Sequence, residues 1–160
     1  MLSKKGFTLM ELLVAATIIS ILLVFATIQY RNSAAETRWN HAKSRLDQFA
    51  NAIQRAHMDY DSIKFSGKMT HKVLGSTCLL NSWTTAADPS QLINCGYLED
   101  DVWQDGYFEY YACEDGGSNC KTEGSAKAMA CVKFAPNAKV PSAYLSYMYC
   151  AWPTFVKEYQ

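Results

Sequence analysis

A stretch of 22 residues, positions 7–28, contains a single charged side chain, Glu11. As an α-helix rising about 1.5 Å per residue, it is long enough to cross the roughly 30 Å hydrocarbon core of a bilayer. Lys4 and Lys5 precede it, which places them in the cytoplasm and the rest of the chain outside. A conventional secretory signal fits poorly, because no small-residue cleavage site follows the apolar run. The sequence therefore predicts a membrane-spanning helix over residues 7–29.

Glu11 is the unusual residue of this segment, because a carboxylate in a membrane helix is energetically expensive. Two interpretations are open from the residues alone. Glu11 is either a functional residue, or it lies in the first helical turn at the depth of the headgroups, where the helix dipole favours a negative charge.

The residues around Glu11 form a specific motif. Residues 5–12 read Lys-Gly-Phe-Thr-Leu-Met-Glu-Leu. This pattern resembles the class III leader of type IV pilins and type II secretion pseudopilins. The resemblance implies a leader over residues 1–6, a cut between Gly6 and Phe7 by a prepilin peptidase, and methylation of the Phe7 amine. It also implies that Glu11 neutralises the N-terminal ammonium of a neighbouring subunit during assembly.

The helix is expected to continue well beyond the apolar stretch. No Gly or Pro occurs between Gly6 and Gly67, and small or apolar residues recur every three or four positions from Ala35 to Tyr60. This spacing predicts an amphipathic helix over residues 30–61. The spacing is also compatible with a coiled coil, but its alanines and large aromatics favour packing on a sheet. Many type IV pilins have a kinking proline where this chain has Ile28.

The remaining residues, 62–160, predict an α+β head with a small antiparallel sheet. Three strands are expected over residues 107–113, 126–134 and 143–152, with hairpin loops over 114–124 and 135–142. Residues 62–90 are expected to be a loop with short pieces of structure near 73–80. A long helix packed on such a sheet is the ladle-shaped architecture that the pilin resemblance implies.

Six cysteines, all beyond residue 77, indicate a disulfide-rich head, since their number is even and no Cys-x-x-Cys pair occurs. We expect the local pairs Cys78–Cys95, Cys113–Cys120 and Cys131–Cys150. The pair Cys113–Cys131, which would join adjacent strands, remains an alternative.

Motifs for catalysis, cofactors or metals are not found. The three histidines, His41, His57 and His71, lack a second ligand at metal-binding spacing. Oxidised cysteines disfavour thiol catalysis. A calcium site among Asp100, Asp101, Asp105 and Asp115 is a weak alternative. The 15 basic and 15 acidic residues of the chain balance, and the stalk cations alternate with acids, which argues against nucleic-acid binding.

These features predict a non-enzymatic structural subunit of a type IV pilus. Its expected partners are identical or related subunits, the prepilin peptidase and the inner-membrane assembly machinery, with no cofactor. It would lie in the inner membrane as a precursor and in a surface pilus or periplasmic pseudopilus after assembly. The alternatives are a minor pilin, a type II secretion pseudopilin, or a membrane-tethered exported binding module or enzyme.

Overall fold

The fold is organised around one long helix. The computed structural model describes residues 8–61, 63–70, 77–100, 103, 106–117 and 119–160. Helix α1, Leu9–Asp59, has 51 residues and is about 77 Å long. It runs without a break through Ile28, because no Gly or Pro interrupts its hydrogen bonds. It ends at Tyr60, whose backbone N–H donates to the Ala56 carbonyl at 2.8 Å.

Only the second half of α1 packs against the head. Its buried residues lie on the predicted apolar face, with Ala50 and Ala52 added to it. They are Ala35, Trp39, Ala42, Leu46, Phe49, Ala50, Ala52, Ile53 and Ala56. Within the chain this face is covered by the sheet, as the amphipathic spacing predicts. The expected α+β architecture of a long helix on a small antiparallel sheet is therefore confirmed.

In its described residues the head contains seven short strands and two short helices. In chain order these are β1 (Ser66–Lys68), α2 (Gln91–Asn94), β2 (Phe108–Cys113), β3 (Thr122–Glu123), β4 (Ala126–Lys127), β5 (Ala130–Phe134), the 3-10 helix Ser142–Ser146, β6 (Met148–Ala151) and β7 (Val156–Tyr159). The main sheet has the order β1-β2-β5-β6-β7, and every pair in it is antiparallel. Strands β3 and β4 form a separate hairpin.

The prediction of one strand over residues 126–134 is wrong. Its first two residues form β4, which pairs with β3 inside the segment expected to be a loop, whereas Ala130–Phe134 forms the central strand β5. The tight β3–β4 turn depends on Gly124, whose φ of 60° is left-handed. The chain then turns inward at Ala128 and Met129, which are both buried. Residues 126–127 therefore pair within the β3–β4 hairpin, and residues 130–134 pair within the main sheet.

The strand predicted over residues 143–152 is wrong in its first half. Ser142–Ser146 forms a 3-10 helix, and only Met148–Ala151 is extended. The helix places the Tyr144 ring edge-on against Phe134, with 6.0 Å between the ring centroids. Aromatic packing on the core thus outweighs the strand propensity of these residues.

The remaining differences lie at the edges of the sheet. The strand expected from residue 107 begins at Phe108. Strand β1 falls within the segment expected to be a loop, and β7 was not predicted. Of the region expected to have structure near 73–80, positions 73–76 lie outside the described residues, and 77–80 form neither helix nor strand.

The helix and the sheet meet in an aromatic core. The Trp39 ring stacks on Phe134 at 5.1 Å, and Trp103 lies between Phe49 and Tyr110 at 5.7 and 5.2 Å. Three disulfides tie the surrounding segments together: Cys78–Cys95, Cys113–Cys120 and Cys131–Cys150. The last of these joins residues directly opposite each other on β5 and β6.

The last strand is clamped to the helix by a carboxylate. Glu158 on β7 accepts a hydrogen bond from the Trp39 indole N–H at 2.7 Å and lies 3.0 Å from Lys43 Nζ. Burial raises the pKa of this carboxyl, but the two hydrogen bonds and the charge of Lys43 outweigh burial and hold the pKa below its usual range. The ionised form of Glu158 therefore stabilises the fold.

We predict that Glu158→Gln lowers the free energy of unfolding by about 1–2 kcal/mol at neutral pH. Glutamine still accepts from the indole but cannot pair with Lys43, so the variant isolates the charge. Because a lowered pKa stabilises the fold above the usual carboxyl pKa, the difference should shrink as the pH falls through the lowered pKa of Glu158 and vanish below it. Denaturant unfolding in detergent micelles across this pH range would measure it.

Glu36→Gln is the matched control, since Glu36 is an exposed acid on the same helix. It should change the stability by less than about 0.5 kcal/mol at either pH. A Glu158→Gln difference that is the same at pH 3 and pH 7 would contradict the role of the charge.

Candidate functional site

The first half of α1 is an uncovered apolar surface. Every residue from Thr8 to Ser33 is exposed, including Leu9 at 84% and Phe25 at 65%. An 18-residue window of this helix has a mean hydropathy of 2.6, and none of it is buried. Among the described residues it is the one helix long and apolar enough to cross a membrane. An exposed apolar surface of this extent is unstable in water and needs either lipid or other apolar helices around it.

Glu11 lies at the start of this surface and forms a capping box with Thr8. Its Oε2 atom accepts hydrogen bonds from the Thr8 backbone N–H and from the Thr8 hydroxyl, both at 2.8 Å. In return, the Thr8 hydroxyl oxygen accepts from the Glu11 backbone N–H at 3.3 Å. Thr8 thereby fixes the helix start and the position of the carboxylate.

The capping box leaves half of the carboxylate available. Among the described residues, no donor contacts Oε1 of Glu11. The carboxylate borders a shallow apolar groove formed by Met10, Val14, Ala15 and Ile18. Once lipid or other apolar helices cover this groove, an incoming cation would be attracted strongly, because water would be excluded from the pair. The geometry thus accommodates both interpretations of Glu11, since one oxygen caps the helix and the other is free to bind.

Two of the residues expected to function with Glu11, Gly6 and Phe7, lie outside the described residues. The six cysteines lie outside the apolar half of α1 and form three disulfides within the head. The apolar helix surface and the head are therefore separate parts of the molecule, joined by the buried half of α1.

The two histidines within the described residues, His41 and His57, do not form a common cluster. His41 is exposed on α1, His57 contacts Glu114, and His71 lies outside the described residues. Within the described ranges, no group of three His, Cys, Asp or Glu side chains is arranged to hold a metal ion. Of the four aspartates considered for calcium, Asp101 and Asp105 lie outside these ranges, and Asp115 lies 3.9 Å from Lys64 Nζ.

Several basic side chains of the stalk bond within the chain. The Arg38 guanidinium lies over the Tyr107 ring at 4.2 Å, and Arg55 donates to the Tyr97 carbonyl at 2.7 Å. Lys43 pairs with Glu158, as described above. These contacts hold the stalk to the head.

One polar cluster, at the end of α1, could not be predicted from the sequence. Oε1 of Glu114 lies 2.9 Å from His57 Nε2, and Oε2 accepts from the Phe65 backbone N–H at 2.6 Å. Burial raises the pKa of the Glu114 carboxyl by more than these contacts lower it. The three residues are far apart in sequence, so no spacing could have indicated the cluster. It anchors the end of the helix to the end of β2.

Comparisons with known proteins agree with the N-terminal sequence motif. Residues 1–27 match the family described as "Prokaryotic N-terminal methylation motif". The chain is 37% identical over 93 residues to the type IV major fimbrial protein FimA of Dichelobacter nodosus. That match covers 55% of this chain and spans 58% of the relative. No solved structure matches. The matched N-terminal motif and the similarity to a type IV fimbrial protein confirm the resemblance to type IV pilins that the leader residues indicate.

Proposed function

We propose that this chain is a structural subunit of a type IV pilus, held in the inner membrane by residues 7–29 before it is assembled into a filament. The observation that carries the proposal is the contrast between the two halves of α1. One half is buried against the head, whereas the other is exposed, apolar and headed by a single carboxylate. A helix of this kind can exchange a lipid environment for the packed helices of a filament without exposing its apolar surface to water.

Glu11 supplies the polar contact in this exchange. Cleavage between Gly6 and Phe7 would create a new ammonium group on Phe7, directly before the Thr8–Glu11 capping box and four residues before Glu11, and methylation would leave it charged. The Oε1 atom of Glu11, which the capping box leaves open, would accept a hydrogen bond from the ammonium of a neighbouring subunit. Leaving either charge unpaired in an apolar bundle is costly, so the pair favours one register between neighbours.

The similarity to a major fimbrial protein favours a pilus subunit over a type II secretion pseudopilin. The alternatives remain a minor pilin or a pseudopilin, and, from another class, a tethered binding module or enzyme. The amount of this protein in filaments sheared from the cell surface distinguishes a major subunit from a pseudopilin. A major subunit should dominate such filaments, whereas a pseudopilin should stay in the periplasm. If the protein is missing from sheared filaments, the major-subunit proposal is wrong.

We predict that Glu11→Gln reduces the yield of filaments by at least about tenfold and leaves membrane insertion unchanged. Glutamine keeps the size and an oxygen for the Thr8 cap, so the variant removes chiefly the charge. Electron microscopy of sheared filaments and membrane fractionation would measure the two effects.

Glu36→Gln is again the matched control and should assemble normally, because Glu36 is an exposed acid beyond the apolar half of the helix. Normal assembly of Glu11→Gln would contradict the proposed pairing. Loss of insertion in the same variant would assign Glu11 to folding or targeting instead.

We predict that the native protein begins at a methylated Phe7, and that Gly6→Ala blocks removal of the leader. A glycine cut site offers a protease an unhindered backbone, which an added methyl group obstructs. Intact-protein mass spectrometry should therefore show the variant heavier by residues 1–6. Ser3→Ala, which changes the leader away from the cut, should be processed as in the native chain. Complete processing of Gly6→Ala would place the cut elsewhere.

A further inference from the structure

The head begins almost directly where the apolar half of α1 ends. In the proposed function, on which this inference rests, residues 7–29 span the hydrocarbon core. The first buried residue, Ala35, follows Gln29 by six positions, or about 9 Å along the helix. The headgroup layer on each side of a bilayer is about 5–8 Å thick. Because α1 is continuous between these residues, one end of the head is held at the outer limit of the headgroups.

The contacts along α1 show which end of the head this is. Near the start of the buried face, the Trp39 ring lies 5.1 Å from the ring of Phe134, the last residue of β5. At the far end of α1, His57 contacts Glu114, which directly follows β2. Since β2 and β5 are antiparallel, β2 runs away from the membrane and β5 runs toward it. Residues 135–147, which follow β5, therefore form the membrane-facing end of the head.

The membrane-facing end carries basic side chains. Arg38, beside it on α1, and Lys139, within it, are both exposed. Residues 135–147 contain no Asp or Glu, and residues 30–46 contain a single acid, Glu36. Lys and Arg near an anionic membrane surface are attracted to it, and the attraction acts only over short distances. The charge and the position of this end therefore both suit anionic lipid headgroups.

The Arg38 side chain is already oriented for such a contact. Its guanidinium lies over the Tyr107 ring, 4.2 Å from the ring centroid. Stacking of this kind uses the flat face of the guanidinium and leaves N–H donors at its rim, which can bind a phosphate at two points. The ring thus restricts Arg38 without consuming its capacity to bind an anion.

Amphipathic side chains mark the same level of the molecule. Tyr30 is 76% exposed and adjoins exposed Arg31 at the end of the apolar half of α1. In the 3-10 helix, Leu145 is 40% exposed between half-buried Tyr144 and Tyr147. Tyrosine rings and long cationic side chains are typical of the membrane interface, where one end of the group is in water and the other contacts lipid.

We propose that the membrane-facing end of the head docks on the outer surface of the inner membrane by binding anionic phospholipid headgroups, with Arg38 and Lys139 contacting the phosphates. The head lies on one side of α1, so a tilt toward that side, of the roughly 20° usual for membrane helices, brings this end into the headgroups. Docking would fix the tilt and depth of the helix, and with them the position of Glu11 before assembly.

Hydrogen exchange of the full-length chain tests this proposal. The chain is reconstituted in phosphatidylcholine vesicles with or without phosphatidylglycerol. Amides of residues 135–147 should exchange at least about threefold more slowly when the anionic lipid is present. Salt at about 1 M should remove the difference, because it screens charges beyond about 3 Å. Amides of residues 63–68, at the far end of the head, should exchange equally in both vesicles.

A pair of double variants isolates the charges. Arg38→Gln with Lys139→Gln should lose the protection by anionic lipid. Lys64→Gln with Lys127→Gln is the matched control, since it removes the same charge from the far end, where both lysines contact Asp115. The control should keep the protection. All four side chains are exposed, so both variants should unfold close to the native temperature.

Resistance to alkaline extraction from the vesicles separates this proposal from the proposed function. A chain that is extracted contradicts the membrane anchor, and the docking with it. An inserted chain whose residues 135–147 exchange equally in both vesicles overturns the docking alone. So does protection that persists in the Arg38→Gln and Lys139→Gln variant. Protection that depends on protein density instead of anionic lipid would assign this end of the head to a second copy of the chain.

Discussion

The packing of one face of α1 on the sheet is the contact on which the rest of the structure depends. An isolated helix is held mainly by its own backbone bonds, and most helical stability in proteins comes from burying an apolar face. Here that burial begins at Ala35 and ends at Ala56, where Leu46, Phe49 and Ile53 are fully covered. Everything before Ala35 extends from this anchored part. The same helix is therefore a core element at one end and an apolar surface that requires an external partner at the other.

The head packs against the buried half of α1 although its strands are short. Strands β1, β6 and β7 have three or four residues each, so few ladder hydrogen bonds secure the sheet. The disulfides compensate: Cys131–Cys150 crosslinks two paired strands in register, and Cys113–Cys120 closes the turn after β2. Crosslinks of this kind stabilise by about 2–4 kcal/mol each. Glu158 then ties the last strand back to Trp39 and Lys43 on α1.

The sequence predicts the parts of this fold that follow from local periodicity and leaves out those set by long-range contacts. The helix and its buried face could be predicted, because spacing along one helix decides them. The division of residues 126–134 between two strands could not be predicted, since it depends on pairing with distant residues. Lys127 pairs with Thr122 in the hairpin, whereas Ala130 pairs with Ala151 in the main sheet. Strand β7 was likewise missed, because its polar residues become ordered only through contacts with α1 and β6. At the candidate site, the motif indicated Glu11 but could not show which carboxylate oxygen is open.

The apolar half of α1 and the exposed loop of the head after Cys78 are far apart, so their sequences can vary independently. Glu11 and the end of α1 at Asp59 are about 72 Å apart along the helix. Residues 8–33 make no buried contact with the head, so a substitution in the exposed loop between Cys78 and Ala87 has no packed path to the capping box. Effects at sites this far apart, with no shared neighbours, are expected to add independently. The exposed loop between Cys78 and Ala87 can therefore vary in sequence without disturbing the apolar helix, provided that the disulfide and the buried Leu80 keep its ends in place.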